Sequence, residues 1–116
     1  MKENIVKNKS FDFALRIVKL FQFLVAEKKE YVISKQLLRS GTSIGSNIRE
    51  AEHAESKADF IHEASVSLKE ANESEYWLEL LYKADYIDEN QFVSLDSDLK
   101  EILRLLTSII KTNKNK

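Results

Sequence analysis

Gln36-Leu37-Leu38-Arg39-Ser40-Gly41-Thr42-Ser43-Ile44-Gly45-Ser46-Asn47-Ile48-Arg49-Glu50-Ala51 carries both glycines of this 116-residue chain, and a run of small polar residues, inside a segment of helical apolar spacing. Leu37, Gly41, Ile44, Ile48 and Ala51 follow at intervals of 4, 3, 4 and 3, the seam of a helix that buries one stripe. A glycine inside a helix costs about 1 kcal/mol relative to alanine, and Ser, Thr and Asn compete for the helical hydrogen bonds. The segment therefore predicts a neighbouring backbone packed closely along Gly41-x-x-x-Gly45, which offsets the weakened helix. A second stripe, Gln36, Ser43, Asn47 and Glu50, is polar, and Lys35, Arg39, Thr42, Ser46 and Arg49 run beside it. Ser43, Asn47 and Glu50 are expected to make polar contacts to the third helix or to another subunit, with Asn47 fixing register.

Outward from this segment the chain has no proline, no cysteine and 32% charged residues, and nowhere a sustained period-2 alternation. That composition belongs to long helices joined by short connectors. A first helix is expected over residues 10–27, with Ser10 as its N-cap. It bears two apolar stripes: Phe11, Ala14, Val18, Phe21 and Val25, read as the core seam, and Phe13, Ile17, Leu20 and Leu24 beside it. A second helix follows over 34–54. A third, over 57–84, opens at Ser56-Lys57-Ala58-Asp59 and carries the seam Phe60, Ala64, Ser67, Ala71, Ser74, Leu78 and Leu81. The capping-box pattern Asp88-Glu89-Asn90-Gln91 opens a fourth, over 89–111, with Phe92, Leu95, Leu99, Ile102, Leu106 and Ile109 on its seam. The tail 112–116 is expected to fray.

These elements make one domain, 1–116, of all-α class: an antiparallel up-down-up-down four-helix bundle. The alternative is a helical hairpin completed by dimerisation. Apolar residues beyond one seam per helix predict an interface, with Phe13, Leu20, Leu24 and Trp77 as its candidates.

Net charge is −1, unevenly spread. Residues 1–49 hold ten Lys/Arg against four Asp/Glu, residues 50–98 three against fourteen, and residues 99–116 five against one, giving +6, −11 and +4. Lys9, Arg16, Lys19, Lys28, Lys29, Lys35 and Arg39 then form either a patch for nucleic-acid phosphates or the partners of Glu63, Glu70, Glu73 and Glu79 on the acidic third helix. An ordinary solvated face is the bland alternative.

Catalytic patterns are missing. His53 and His62 stand nine residues apart, His62-Glu63-Ala64-Ser65-Val66 lacks the second histidine of a helical zinc motif, and Glu50-Ala51-Glu52-His53 is a single Glu-x-x-His where a di-iron bundle needs two. No cofactor, metal, small-molecule substrate or membrane span is implied. The amino-terminal residues lack the apolar stretch of a signal peptide, and absent cysteines suit a reducing cytoplasm.

Gln36, Arg39, Ser43-Ile44, Ser46-Asn47-Ile48 and Glu50-Ala51 resemble the Gln-x-x-Arg and Ser-Ile-Pro-Ser-Asn-Ile-Ala-Glu-Gly pattern of a bacterial family encoded in intervening sequences of 23S ribosomal RNA genes, the S23 ribosomal protein family. Phe60, Ala64, Ser67-Leu68, Glu70 and Tyr86-Ile87 extend the resemblance over residues 10–110. Gly45 stands where the family has Pro, Arg49 where it has Ala, Glu52 where it has Gly, and Val66 where it has Gly. The resemblance implies a four-helix bundle assembling as a ring-shaped homopentamer without established enzymatic activity. A related branch, the accessory variability determinant of diversity-generating retroelements, resembles a basic pentamer that binds nucleic acid and a reverse transcriptase. The expected function is thus a non-enzymatic homo-oligomeric scaffold or adaptor; the alternative is an RNA-binding accessory protein, associated with a reverse transcriptase or ribosomal RNA, that uses the basic residues named above.

Overall fold

The computed structural model describes residues 2–115 and holds four helices in chain order: α1 (Lys2–Ala26), α2 (Ile33–Glu52), α3 (Lys57–Lys83) and α4 (Glu89–Lys114). No strand occurs among the described residues. Helix α1 packs on α2 and α4, and α3 packs on the same two, so the four form a closed square. Every adjacent pair runs antiparallel. Lys7 of α1 meets Glu52 of α2, while Ile17 lies against Gly41. Ser67 reaches Ile44 across α3 and α2, and Arg39 reaches Glu73. Glu75 pairs with Lys100 and Tyr82 stacks on Phe92 across α3 and α4, while Arg16 bonds Asp98 and Lys9 pairs with Glu101 across α1 and α4. The bundle measures 47 × 21 × 19 Å, as expected for helices of this length at 1.5 Å rise per residue.

Helix ends differ from the sequence expectation in instructive ways. Helix α1 begins at Lys2, not at residue 10, and Ser10 is no cap: it is buried in mid-helix with its hydroxyl donating to the Lys7 carbonyl at 2.9 Å. Val6, one turn upstream and 2% exposed, extends the core stripe and carries the helix with it. At the start of α2, Val32 occupies the cap position without a side-chain bond. The capping group is Glu30, whose carboxylate accepts the N–H groups of Val32 (3.1 Å), Ile33 (3.0 Å) and Ser34 (2.6 Å), three of the donors a helix start leaves unpaired. Helix α2 stops at Glu52, short of residue 54.

The caps of α3 and α4 follow their sequence signals. Ser56 accepts from the Asp59 N–H at 3.0 Å, and Asp88 and Gln91 form a reciprocal capping box. Between α3 and α4, Asp85 takes a left-handed φ of 67°, which lets the Tyr86 N–H reach the Leu81 carbonyl at 2.9 Å and end the helix. Helix α4 runs through Lys114 where fraying of 112–116 was expected, because buried Ile109 and Ile110 anchor its last turns and Asn113 donates to the Ile109 carbonyl; Lys116 lies outside the described residues.

The core runs the length of the bundle on the seams expected for α2, α3 and α4. On α1 the two stripes exchange roles. Phe13, Ile17, Leu20 and Leu24 are buried, while Phe11 is 48% and Val18 37% exposed. Ser10 and Ile17 are the α1 residues that meet the glycines of α2, and their side of the helix is the one that turns inward.

Candidate interaction surfaces

Neither glycine has a positive φ, so close approach rather than backbone conformation explains them. A β-carbon at position 41 would stand 3.0 and 3.1 Å from the two γ-carbons of Ile17, and one at position 45 would stand 3.3 Å from Ser10 Oγ. On its other side α2 meets the serines of α3. Ser67 Oγ donates to the Ile44 carbonyl at 2.8 Å, and Ser74 Oγ lies 2.9 Å from Ser40 Oγ and 2.8 Å from the Glu70 carbonyl oxygen. Small residues on both seams bring helices close enough for hydroxyls to reach a neighbour, and each hydroxyl is satisfied there.

The polar run of α2 turns back on its own helix. Thr42 and Ser43 donate to the carbonyls of Leu38 (2.7 Å) and Arg39 (2.6 Å), and Asn47 donates to the Ser43 carbonyl at 2.9 Å. The expected contacts from Ser43, Asn47 and Glu50 to α3 are therefore replaced. Ser43 and Asn47 are only half-buried and find an acceptor one turn back, while Gln36 and Glu50 are exposed. Register between α2 and α3 is fixed by the serines and by Arg39.

Arg39 makes the ion pairs across these helices. Its guanidinium bonds Glu70 at 3.1 Å and also Glu73, which accepts the Trp77 indole N–H at 3.0 Å. The Trp77 bond, followed by Arg39, holds the Glu73 carboxyl below its ordinary pKa against the opposing effect of burial. Trp77 meets Tyr76 edge to face with ring centres 5.0 Å apart. Glu63 and Glu79 have no ion pair among the described residues.

Three of the seven cations face carboxylates. Lys9 pairs with Glu101 at 3.0 Å, Arg16 with Asp98 at 2.6 Å, and Arg39 faces α3. Lys29 Nζ donates to the Ala26 carbonyl at 2.8 Å, and Lys28 lies over the Phe23 ring. Lys19 and Lys35 are exposed.

The interface candidates also move. Phe13, Leu20 and Leu24 sit inside the bundle at 0%, 7% and 0% exposure, and Trp77 is half-buried against the core. The apolar surface lies on the other stripe. Phe11, Leu15 and Val18, at i, i+4 and i+7, stand proud of α1, with Leu15 49% exposed and the Arg49 guanidinium 5.3 Å from the Phe11 ring centre. Leu15 is absent from the stripes read in the sequence, although the same spacing rule that selects Phe11 and Val18 includes it.

His53 and His62 are exposed, and among the described residues no group of three His, Cys, Asp or Glu could hold a metal. A carboxylate pair does meet between α3 and α4. Lys100 Nζ lies 3.2 Å from Glu75 and 3.6 Å from Asp96, whose buried Oδ1 has no hydrogen-bond partner among the described residues. Burial, then the neighbouring Glu75, pushes the Asp96 carboxyl up, against the pull of Lys100.

No curated protein matches the chain. The model of the 23S rRNA-intervening sequence protein family matches residues 2–108. Among solved structures, the chain is similar to a protein of unknown function from the S23 ribosomal protein family of Bacteroides thetaiotaomicron, with a TM-score of 0.95 and 62% identity over 96% of this chain and 99% of that one. With the motif residues of α2 and α3 in place on a shared four-helix fold, the chain belongs to the 23S rRNA-intervening sequence protein family.

Proposed function

We propose that this chain is a non-enzymatic, cytoplasmic, homo-oligomeric scaffold or adaptor. The observation that carries the reading is the ridge of Phe11, Leu15 and Val18, three large apolar side chains left at 48%, 49% and 37% exposure on a bundle whose core is already complete without them. Contiguous apolar surface of this kind marks an association site. Half-buried Ala14, Phe21 and Val25 continue it along α1, and Leu38, Thr42 and Gly45 are half-buried on neighbouring α2. A ring of five is the assembly that family resemblance supports. No helix of the described residues is long and apolar enough to cross a membrane, and a sequence without cysteine supports a place in a reducing cytoplasm.

Light scattering at micromolar concentration tests the reading. The native chain is expected to run as an oligomer and Leu15→Glu as a monomer with unchanged helical circular dichroism. A monomeric native chain overturns the proposal. The nucleic-acid alternative keeps Lys19, Lys28, Lys29 and Lys35, which have no carboxylate partner among the described residues. It predicts RNA binding that weakens steeply with salt and disappears on charge reversal at Lys28 and Lys35 while assembly persists.

A further inference from the structure

The outer groove between α3 and α4 lies on the side of the bundle opposite the α1–α2 ridge, and neither the ridge nor the ion pairs explain it. Leu68 and Asn72 of α3 and Leu103, Arg104, Thr107 and Lys111 of α4 line a space of about 500 Å³, which continues past Ile110 to Lys114. Its floor is apolar: Leu68 and Leu103 are half-buried against the core and Ile110 is 8% exposed. Its rim is cationic. Arg104, Lys111 and Lys114 are exposed and make no ion pair among the described residues, whereas Lys7, Lys9, Arg16, Arg39 and Lys100 each have a carboxylate partner. No Asp or Glu lines the groove. The helix dipole accounts for Lys111 and Lys114 in the last turn of α4, because its influence fades within a turn. Arg104, ten residues before the end of the helix, lies beyond it.

We propose that this groove docks an acidic amphipathic helix of a partner protein. Its apolar side chains, at i, i+3 or i+4 and i+7, rest on Leu68, Leu103 and Ile110, the helix-in-groove mode of recognition. Carboxylates two turns apart on its flank meet Arg104 and Lys111, which are themselves two turns, about 10 Å, apart. Charge complementarity sets the orientation and the salt dependence of this contact. The apolar floor favours a protein segment over a nucleic acid, since phosphates would leave it uncovered and no aromatic ring lines it for a base to stack on.

The test pans a displayed library of helical segments of about 15 residues, four turns, against the intact protein. The expected winners carry an apolar stripe flanked by Asp or Glu two turns apart. A synthetic winner should lose about tenfold or more in affinity to Arg104→Glu/Lys111→Glu, and again at high salt, with helix content and oligomer mass unchanged. Leu68→Gln should weaken the same peptide with little salt dependence. Four results overturn the proposal: no sequence enriches; the winners lack acidic residues or ignore the charge reversal; single-stranded RNA of equal charge binds the same residues more tightly; or the charge reversal dissociates the oligomer, which assigns the groove to a contact between copies. Peptide binding that fails while Leu15→Glu still dissociates the oligomer overturns this proposal alone, and peptide binding to a native chain that runs as a monomer overturns the ridge reading alone.

Discussion

Gly41→Ala and Gly45→Ala insert the same methyl group one turn apart on α2 and should move stability in opposite directions. Either change removes a helical glycine, a gain of about 1 kcal/mol. At position 41 the new β-carbon falls 3.0 and 3.1 Å from the γ-carbons of Ile17 and 3.4 Å from its Cβ. Ile17 is fully buried and β-branched, so one stiff rotamer is open to it and no rotation clears all three contacts. Overpacking costs about 1–3 kcal/mol, which leaves Gly41→Ala neutral to about 2 kcal/mol less stable, with Gly41→Leu worse. At position 45 the tightest contact is 3.3 Å to a serine hydroxyl and the next are 3.6 Å. Gly45→Ala should therefore gain up to about 1 kcal/mol. Urea unfolding followed by helical circular dichroism, at one protein concentration because the reference state includes assembly, measures both. Ile17→Ala supplies the control: it costs about 2–5 kcal/mol by itself, but in its background Gly41→Ala should become stabilising by about 1 kcal/mol. If Gly41→Ala stabilises the native background by that amount, the close approach of α1 is not what the glycine provides.

Glu30→Gln should cost about 1–2 kcal/mol at neutral pH, the worth of a helix cap with charge-assisted bonds. Burial opposes ionisation of Glu30, but the N–H groups of Ser34, Ile33 and Val32 outweigh it and hold the carboxyl below its ordinary value of 4.5. That stabilisation is full above pH 4.5 and is lost as pH falls through the lower folded value, so the unfolding curves of the native chain and of the Glu30→Gln variant should converge in acid. Asp96 has the opposite sign. Its folded pKa lies above 3.8, so ionisation destabilises the fold as pH rises through the folded value, and Asp96→Asn should raise the melting temperature at pH 7 more than at pH 3. Ser67→Ala removes one hydroxyl bond to an Ile44 carbonyl and should cost about 0.5–1.5 kcal/mol, while Ser67→Leu loses the same bond and forces α2 and α3 apart at a further cost of about 1–3 kcal/mol; equal thermal midpoints for the two would contradict close packing at that seam.

Helices α2, α3 and α4 were legible because in each one apolar stripe runs unbroken for most of its length and the other apolar residues are scattered, so periodicity alone names the buried face. Helix α1 has two, and periodicity cannot rank Phe11-Ala14-Val18 above Phe13-Ile17-Leu20. The choice lies in another helix: Gly41 and Gly45 leave room that Ile17 and Ser10 fill, a fact of pairing between segments more than twenty residues apart. The start of α2 was read to within one residue, but its cap was not, for a related reason. Its cap is a glutamate placed before the helix, whose carboxylate reaches forward to Val32, Ile33 and Ser34 from a turn that holds the left-handed Lys29 at φ 55°. The polar stripe of α2 misled because Ser and Asn satisfy themselves on the preceding turn as readily as on a neighbour.

The charge imbalance along the chain acts on neighbour order more than on stability. Exposed ion pairs contribute about 0–1 kcal/mol each, and Lys9–Glu101, Arg16–Asp98 and Lys7–Glu52 all retain side chains more than a third exposed. Their sum is small beside the burial of the core, yet all point the same way. Basic α1 reaches carboxylates on both α2 and α4, and Arg39 places α2 against acidic α3. A slip of one turn along α4, about 5.4 Å, would carry Asp98 and Glu101 away from Arg16 and Lys9 while leaving Leu in register with Ile on a seam that tolerates such exchanges. Apolar stripes repeated at 3 and 4 discriminate weakly against that slip, and the cross-helix charges add a bias against it. Arg104, Lys111 and Lys114 have no such task within the bundle, and with no internal partner among the described residues their field is directed outward, at whatever the α3–α4 groove receives.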